Sequence, residues 1–376
     1  MKIAMIAPGA IPAQTANSVQ VMKMANALTA IGHDVRLYAL DGGGELQWDG
    51  LAKLYGLSRR FRVVLVPARA FFRRYDYSLV AVREARQWGA DYIYTRVPQA
   101  AAWAARRGTP TIFELHDMPS GKMGPRLLRQ FLRGSGAKRV VVNTKHLAKQ
   151  VGQQYSIGTE MITLAPNGVD LAQYASLPDP HTARKKLGLP EKFTAGYSGH
   201  LYKGRGISFM FELARKLPDV TFLFIGGRSQ DLEARKRESE MIPNVLFAGF
   251  VPNGELPMYQ AACDVLLIPY RAQVSASSAE DIAAFTNPLK MFEYLAARRP
   301  VLASNLPILR EVLNEANAII LPIGDPVAWQ AAIEDLKSSD SKRAALANAG
   351  RATVEEFTWE KRAERILHGL GASVRI

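Results

Sequence analysis

The chain has 376 residues, 48% of them hydrophobic and 22% charged; these ordinary globular values exclude a largely disordered chain and leave room for two domains of about 100–200 residues each. Its single cysteine, Cys263, excludes an internal disulfide bond and indicates a cytoplasmic protein. The net charge of +14 is concentrated in residues 1–168, which hold 23 Lys and Arg against 10 Asp and Glu, and it favours an anionic partner such as nucleic acid, anionic lipid or a phosphorylated substrate.

Short β-rich runs alternate with helical stretches in the first half of the chain. Between the first two runs, apolar residues recur at helical spacing until Gly32, which predicts a helix that ends there. The alternation predicts parallel strands that are covered by helices on both faces, in a doubly wound α/β sheet. Strands are predicted at residues 2–7, 35–39, 63–66, 92–95, 111–115, 139–142 and 161–165.

The same pattern restarts after a polar, proline-containing stretch at residues 177–190, and we expect a linker near residues 168–190. Two domains follow, at residues 1–168 and 169–356. Open α/β sheets bind ligands beyond the carboxyl ends of their strands, so the loops after strands are where a site is expected. Strands in the second half are predicted at residues 194–198, 221–225, 245–248, 265–269, 300–303 and 318–321. The loops to consider are residues 8–18, 116–124, 199–206, 226–228 and 279–287.

The segment from Phe285 to Glu293 has the features of a helix N-terminus that binds an anion. Thr286 or Asn287 is a suitable N-cap, and Pro288 fits the first helical turn. Backbone amides at a helix start attract anions, and a carboxylate at Glu293 could accept two hydrogen bonds from a sugar or ribose diol. The alternative is an ordinary capped helix with a glutamate at the surface.

A glycine-rich turn at residues 199–206 directly follows a predicted strand. Small residues let the backbone approach a ligand, and the guanidinium of Arg205 can bind a phosphate through two hydrogen bonds. The turn lacks the Gly-Lys-Ser/Thr of a phosphate-binding loop and the Gly-x-Gly-x-x-Gly of a dinucleotide fingerprint. The alternative is a flexible basic turn without a ligand.

A third group of polar residues, Glu114, His116 and Asp117, ends a strand of the first half. A neutral imidazole at His116 could hydrogen-bond to a ligand hydroxyl. A lone histidine is more often a structural residue, and the two carboxylates have an ordinary interpretation as polar residues at a strand end.

In their order and spacing these motifs resemble the retaining glycosyltransferases of family 4, which have the GT-B fold. The resemblance covers nearly the whole chain, because it also includes the opening strand with its glycine loop and the segments at residues 31–35 and 167–170. It implies an α/β protein of two Rossmann-like doubly wound domains that face a central cleft. It also implies that a C-terminal helix, at about residues 357–376, crosses back to the first domain.

The resemblance assigns the diphosphate of a nucleotide-sugar donor to the glycine turn that begins at Gly199. Where the family has an arginine and a lysine, this chain has His200 and Arg205, and Lys203 could assist them. On the first domain, Gly9 and the loop through Asn17 match the segment that approaches the diphosphate.

In the family's Glu-x7-Glu motif, the second glutamate corresponds to Glu293 and is expected to bind the nucleotide ribose. The first would fall at Phe285, which cannot act as a carboxylate. His116 matches the family's first-domain histidine, which contacts the donor sugar near the reacting carbon. Catalytic roles are therefore expected for His116, Arg205 and Glu293. The remaining donor contacts are expected from Thr286, Asn287, Pro288 and the backbone amides of Leu289 and Lys290.

The implied reaction transfers a sugar from a nucleotide-diphosphate donor, with UDP or GDP expected as the nucleotide, to a hydroxyl group with retention of the anomeric configuration. The sequence contains no Asp-x-Asp string, so a metal held by that motif is not expected. The nucleotide sugar is a substrate in this reaction, and no cofactor is expected. The leaving-group charge would be met by Arg205, His200 and the helix start near Asn287. The leaving phosphate is expected to take the acceptor proton, and no protein nucleophile is nominated.

The basic first domain predicts attachment to the inner face of the cytoplasmic membrane and a lipid-linked or glycan acceptor. Two segments, residues 69–75 and 125–133, combine arginines with aromatic and aliphatic residues. The second has Leu127 and Phe131 on one side of a helix and arginines near the other, which is typical of an interfacial helix. The alternative is a helix that packs on the core and exposes its basic face.

Three other functions remain open from the residues alone. Another GT-B enzyme, such as a non-hydrolysing nucleotide-sugar epimerase, would use the same donor motifs. A nucleic-acid-binding protein would account for the positive first half, but no helix-turn-helix, zinc or RNA-stacking signature supports it, and no nucleic-acid partner is expected. A nicotinamide dehydrogenase is disfavoured because the glycine fingerprint and its ribose-binding acid are missing.

Overall fold

A computed structural model describes residues 1–41, 47–72, 74–273, 285 and 287–371 of the chain. The chain divides into two compact units, Met1–Asn167 with Trp359–Ile376, and Gly168–Thr358. Each unit is built on its own parallel β-sheet with helices between successive strands, which confirms the predicted α/β class and the doubly wound sheets.

Within the described residues, the sheet of the first unit has seven strands in the order β3-β2-β1-β4-β5-β6-β7. All neighbouring strands are parallel. The order reverses between β1 and β4, so the loops after these two strands lie at the position where open sheets bind ligands. The strands are β1 (Lys2–Ile11), β2 (Asp34–Asp41), β3 (Arg62–Val66), β4 (Tyr92–Thr95), β5 (Thr111–Leu115), β6 (Ala137–Val142) and β7 (Ile162–Leu164).

The sheet of the second unit has six strands in the part of the chain that is described, in the order β10-β9-β8-β11-β12-β13, and is again parallel throughout. Its order reverses between β8 and β11. The strands are β8 (Thr194–Ser198), β9 (Thr221–Ile225), β10 (Val245–Gly249), β11 (Val265–Ile268), β12 (Val301–Ser304) and β13 (Ile319–Leu321).

Helices connect the strands in both units, and the last one belongs to the first unit although it ends the chain. It packs against the first helix of the chain. In the first unit the helices are α1 (Ala16–Ala30), α2 (Trp48–Tyr55), α3 (Tyr75–Trp88), α4 (Pro98–Arg106), α5 (Gly124–Leu132) and α6 (Lys145–Tyr155). In the second they are α7 (Pro180–Leu187), α8 (Ile207–Lys216), α9 (Ser229–Glu238), α10 (Leu256–Ala261), α11 (Leu289–Ala296), α12 (Pro326–Ser338) and α13 (Asp340–Val354). The C-terminal helix is α14 (Trp359–Leu367).

The central strands are continuous apolar runs because both of their faces are covered. All four residues of β11 and the last three of β6 are completely buried. Strands that are buried on both sides do not need an alternating pattern, and this is why such short runs could be recognised in the sequence.

The first strand is longer than predicted, because it continues past residue 7 to Ile11. Its pairing with β2 shifts register between Ile6 and Ala10, around Pro8 and Gly9. Proline has no N–H to donate to the ladder, so a break in pairing at this point is expected. Gly9 therefore lies within an irregular strand and not in the loop where it was predicted.

The predicted linker near residues 168–190 was also wrong in part, because it contains α7 and belongs to the second unit. Asp179 caps this helix through its Oδ1, which accepts from the Thr182 N–H at 3.0 Å, and Gly188 ends it in the left-handed region at φ +64°. These are ordinary start and stop signals for a helix in a segment that we interpreted by its polarity alone.

Helix α5 packs on the core of the first unit and does not offer an apolar face to a membrane. Leu127, Leu128 and Phe131 are buried, and Phe131 packs edge-on against Phe113 with ring centroids 5.4 Å apart. Its arginines lie on the exposed side. The interpretation of residues 125–133 as an interfacial helix was therefore wrong, and the core-facing alternative is correct.

Candidate active site

The glycine turn of the second unit lies at the carboxyl end of β8, beside the point where the strand order reverses. It runs over residues 199–206, and both ends are glycines in the left-handed region, Gly199 at φ +125° and Gly206 at φ +78°. A Cβ added at Gly199 would lie 2.9 Å from the Lys290 Nζ, and one at Gly206 would lie 2.0 Å from the backbone oxygen of Pro269. The turn thus packs on the end of β11 and on Lys290, and only glycine fits at either end.

We expect the close approach at Gly206 to make Gly206→Ala strongly destabilising. Gly188→Ala is the matched control, because Gly188 has a similar φ of +64° but nothing within 4 Å of an added Cβ. The unfolding free energy of the control should fall by only about 1 kcal/mol, which is the cost of placing alanine in the left-handed region. The Gly206 variant should lose about 1–3 kcal/mol more, because its methyl group meets backbone. Urea unfolding of both variants measures the difference, and equal losses would show that the turn can move away from β11.

Two cations meet around one aromatic ring beside this turn. The Arg205 guanidinium lies 4.7 Å from the centre of the Tyr270 ring, and the Lys290 Nζ lies 5.5 Å from the same centre. Lys290 also lies 3.6 Å from the centre of the Tyr197 ring. Tyr270 lies two residues after the end of β11, and Lys290 is in the first turn of α11. We call Arg205 and Lys290 the cationic cluster.

The environment of Lys290 makes its positive charge costly in the absence of an anion. Burial lowers the pKa of Lys290 well below its usual range, and the neighbouring charge of Arg205 lowers it further, whereas Glu293 acts in the opposite direction. A second cation close to a buried one is unfavourable unless an anion compensates both. The cationic cluster is therefore suited to a ligand with several negative charges, such as a diphosphate.

His200 does not join the cationic cluster as a charge, contrary to the prediction that it helps to neutralise the leaving group. Burial lowers its pKa to about 4, and Arg228, Lys290 and Arg205 lower it as well. Its ring stacks on Tyr202 with centroids 4.7 Å apart and planes 9° apart. At neutral pH His200 is an uncharged, stacked ring, and the basic side chain that lies with Arg205 around the Tyr270 ring is Lys290.

Lys203, the other predicted helper in the turn, has a side chain that is exposed to solvent. It lines a hollow of about 410 Å³ together with Ser208, Glu212 and Arg271. The lining of this hollow contains neither Arg205 nor Lys290, and the donor contact expected from Lys203 stays a prediction.

Helix α11 begins one or two residues later than predicted. Pro288 is its N-cap, with an extended backbone (φ −72°, ψ 129°), and proline has no side-chain acceptor with which to cap the helix. Asn287 is buried and precedes the cap, so it is not the N-cap. Thr286 lies outside the described residues. Leu289 and Lys290 form the start of the helix, where backbone N–H groups of the first turn are suited to an external acceptor.

Glu293 lies on the same helix, where neighbouring amide groups hold its carboxylate. Asn253 Nδ2 donates to its Oε1 and Gln260 Nε2 to its Oε2, each at 3.4 Å. Gln260 is completely buried, and its own Oε1 accepts from the Tyr174 hydroxyl at 3.0 Å. That bond turns the amide nitrogen toward Glu293. The half-buried carboxylate is thereby oriented and keeps capacity to accept further hydrogen bonds from a diol.

The first unit contains a separate polar cluster at the carboxyl end of β5. His116 Nε2 lies 2.5 Å from Glu114 Oε1, and the same oxygen accepts from Arg362 Nη2 at 2.7 Å and from Gln20 Nε2 at 3.0 Å. The Tyr94 hydroxyl donates to the other oxygen. Because Glu114 is fully committed to these bonds and buried, it is not available as a general base.

Gly9 and Asn17, the two predicted residues of the opening segment, come together in this unit. A Cβ at Gly9 would lie 3.7 Å from Asn17 Nδ2. Arg96 joins Asn17 to the cluster, because it donates to the side-chain oxygens of both Asn17 and Gln20. The structure thus connects the opening segment with the residues that surround His116.

Sequence reasoning missed several residues of both sites. Arg96 follows β4 and Tyr270 follows β11, so the rule that sites lie beyond strand ends would have found them if it had been applied to every strand. Gln260 and Arg362 carried no local signal, because they are single polar residues within helical stretches.

Two sequence-family profiles match the chain. Glycosyltransferase Family 4 matches residues 18–173, and Glycosyl transferases group 1 matches residues 192–339. The first lies within the first unit apart from its last residues, and the second lies within the second unit. Together they cover most of the chain.

Curated relatives and solved structures agree with these matches. A D-inositol 3-phosphate glycosyltransferase of Segniliparus rotundus is 25% identical over 63% of this chain, which spans about half (53%) of that relative's length. A phosphatidyl-myo-inositol mannosyltransferase of Mycobacterium leprae is 23% identical over 98% of this chain and 96% of its own length. The structure of Anabaena HepE in complex with UDP-glucose has a TM-score of 0.73 over 98% of this chain and 99% of that one, at 19% identity. At that identity the likeness shows the fold alone, which is GT-B.

Proposed function

This chain belongs to glycosyltransferase family 4, and on that premise we propose that it transfers a hexose from a nucleoside-diphosphate sugar to a hydroxyl group of a glycolipid or polysaccharide under assembly. The proposal includes retention of the anomeric configuration and transfer without a bound metal ion. Support for the acceptor class comes from a relative that is a phosphatidyl-myo-inositol mannosyltransferase, and support for the donor from a structural neighbour in complex with UDP-glucose.

The observation that carries the proposal is the convergence of Arg205 and Lys290 on the Tyr270 ring. In the transfer, the bond between the anomeric carbon and the diphosphate oxygen breaks, and a bond from the acceptor oxygen to that carbon forms. Negative charge accumulates on the leaving diphosphate, and two fixed cations stabilise it most at that point. The acceptor proton goes to an oxygen of the leaving phosphate, so no protein base is required. The donor nucleotide is proposed to be UDP or GDP.

Glu293 is proposed to bind the ribose hydroxyls of the donor, and a cycle of two proteins and two ligands tests this role. Wild type should bind UDP or GDP about tenfold more tightly than the matching 2′,3′-dideoxynucleotide, because charged acceptors add about 1.5–3 kcal/mol per hydrogen bond. Glu293→Gln should bind the two ligands with nearly equal affinity. Calorimetric titration measures all four constants.

The matched control for Glu293→Gln is Glu212→Gln, because Glu212 is exposed on α8 of the same unit and lies outside the cationic cluster. It should discriminate between the ligands as wild type does. If Glu293→Gln still prefers the nucleotide with both hydroxyls by tenfold, its carboxylate does not hold the ribose.

A further part of the proposal is reversible attachment to an anionic membrane surface. None of the described helices is both long and apolar enough to cross a membrane. Before α3, however, Phe71 is 88% exposed and Phe72 is 44% exposed, between the exposed arginines Arg69 and Arg74; Tyr75, which follows Arg74 and begins α3, is also 44% exposed. Exposed aromatic rings flanked by basic residues suit the interface of an anionic bilayer. We call these residues the Phe71 patch.

Flotation with vesicles of phosphatidylcholine and phosphatidylglycerol tests the Phe71 patch. Wild type should float with these vesicles at low salt, and the double variant Phe71→Ser with Phe72→Ser should bind at least about tenfold more weakly, because it loses two apolar side chains from the interface. Met241→Ser is the control, since Met241 is 90% exposed but lies in the second unit. Failure of the wild type to float, or equal flotation of the double variant, would remove the membrane part of the proposal.

A further inference from the structure

A buried polar cluster in the first unit has Glu114 at its centre. Its carboxylate is reached from four elements: Gln20 on α1, Tyr94 on β4, His116 just after β5 and Arg362 on α14. The Glu114 and Arg362 side chains are each 1% exposed, and that of His116 is 16% exposed. His116 is thus the member of the cluster that reaches the surface.

Besides Glu114, two oxygen acceptors hold Arg362 in one orientation. Its Nε donates to the backbone oxygen of Pro166 at 3.0 Å, and its Nη1 lies 3.1 Å from the Tyr94 hydroxyl. Its Nη2 then points to Glu114. A guanidinium is planar and cannot rotate one of these bonds without breaking the others, so the C-terminal helix fixes the carboxylate.

The bonds to Glu114 determine the protonation of the histidine. Burial opposes ionisation of Glu114, but Arg362 and His116 outweigh it and keep the pKa of the carboxyl below its usual range. An ionised carboxylate can only accept hydrogen bonds. The His116 nitrogen that faces it, Nε2, must therefore carry a proton.

The other ring nitrogen then has no proton at neutral pH. Burial lowers the pKa of His116 to about 4, with Arg96 and Arg362 acting in the same direction and Glu114 against them. Tyr94 and Gln20, which also face the cluster, are neutral. A neutral imidazole has one N–H, and Nε2 holds it, so Nδ1 has a lone pair. Among the residues that the structure describes, Nδ1 has no hydrogen-bond partner.

We propose that Glu114 and Arg362 are positioning residues that hold His116 as its Nε2-protonated neutral tautomer, so that Nδ1 accepts a hydrogen bond from a hydroxyl of the sugar substrate. The inference rests on the proposed function for the identity of the ligand, but not for the state of the ring. In this proposal the C-terminal helix α14, through Arg362, orients His116, which lies 246 positions earlier in the sequence.

Nitrogen NMR of the full chain labelled with [15N]histidine tests the state of the ring without an activity assay. His116→Gln assigns the signals, because one set among those of the six histidines disappears. At pH 7 we expect Nε2 in the protonated range and Nδ1 in the unprotonated range, with no change between pH 8 and pH 5.5. An Nδ1-protonated ring, a mixture of tautomers or an imidazolium at pH 7 would overturn the proposal.

Glu114→Gln separates positioning from a merely structural role. The amide offers both a donor and an acceptor to Nε2, so the tautomers should mix, and kcat/KM should fall about tenfold for the loss of one substrate hydrogen bond. Arg362→Lys keeps the charge, and it should retain the tautomer with a smaller loss. If Glu114→Gln folds and its ring signals match those of wild type, the proposal is wrong.

The two proposals fail separately in these experiments. A wild-type chain with the expected tautomer but no sugar transfer to any acceptor would contradict the proposed function and leave the positioning of His116 intact. Sugar transfer by a chain whose His116 shows the other tautomer would contradict the positioning alone.

Discussion

A Lys290→Met variant is expected to bind UDP or GDP about 10- to 100-fold more weakly than wild type and to melt at the same or a higher temperature. Methionine can keep the packing on the Tyr197 ring, but it removes the charge, and a hydrogen bond to a charged group contributes about 1.5–3 kcal/mol. In the free protein the same charge is buried beside Arg205, which disfavours it. Calorimetric titration and thermal unfolding of one preparation measure both effects.

Lys290→Met should also transfer sugar more slowly than wild type, because it lacks the charge that stabilises the leaving diphosphate. Removing one group that stabilises developing negative charge costs about 100- to 1000-fold in kcat. Lys216→Met is the control, because Lys216 is exposed at the end of α8 in the same unit. It should bind nucleotide and transfer sugar as wild type does. Unchanged nucleotide affinity in Lys290→Met would show that the cationic cluster is not the diphosphate site.

The lowered pKa of Lys290 also predicts a pH dependence. Without ligand, burial and Arg205 favour the neutral amine, and a bound diphosphate favours the ammonium. The protein therefore takes up a proton when it binds the nucleotide. Nucleotide affinity should fall as the pH rises above the pKa that Lys290 has in the protein without ligand. The proton uptake appears as a dependence of the calorimetric enthalpy on the buffer, and Lys290→Met should lose it.

An Arg362→Met variant is expected to lose about 3–5 kcal/mol of unfolding free energy at pH 7. The loss is large because the substitution leaves the Glu114 carboxylate buried without its guanidinium partner. Lys361→Met, on the exposed side of the same helix, should change stability by less than about 0.5 kcal/mol. Urea unfolding of wild type and both variants measures the losses.

The difference in unfolding free energy between wild type and Arg362→Met should become smaller at acid pH. In wild type the depressed pKa of Glu114 contributes stability that is present above the unfolded value, about 4.3, and is lost as pH falls toward the folded one. In the variant, burial dominates and raises that pKa, so protonation at pH 4–5 relieves the buried charge. The stabilising role of this ion pair would be contradicted if Arg362→Met lost less than about 1 kcal/mol of unfolding free energy at pH 7. It would also be contradicted if the difference from wild type became larger at acid pH.

The strands were predictable because each is a short apolar run that is buried on both faces. The β11 run of Val265–Ile268 needs only its own residues to be recognised. Helix α7 was not predicted, because its polar composition was interpreted as a linker although Asp179 and Gly188 are typical residues for the start and the end of a helix. The start of α11 shifted because Pro288 took the N-cap position that its neighbours were expected to fill.

The site was predictable as a set of segments but not as a set of charges. Lys290 extends toward the Tyr197 ring because α11 packs against β8. No local sequence pattern indicates this packing. His200 is neutral only because burial and nearby cations act on it together. Arg362 and Glu114 lie 248 residues apart, and nothing within either segment points to the other.

A crystal structure of the full chain with UDP or GDP, whichever raises the melting temperature more, tests the central claim most directly. We expect the diphosphate within hydrogen-bond distance of Arg205 and Lys290, beside the Tyr270 ring, with the ribose hydroxyls on Glu293. A diphosphate bound on another surface, with Arg205 and Lys290 still packed around the empty face of Tyr270, would contradict the account.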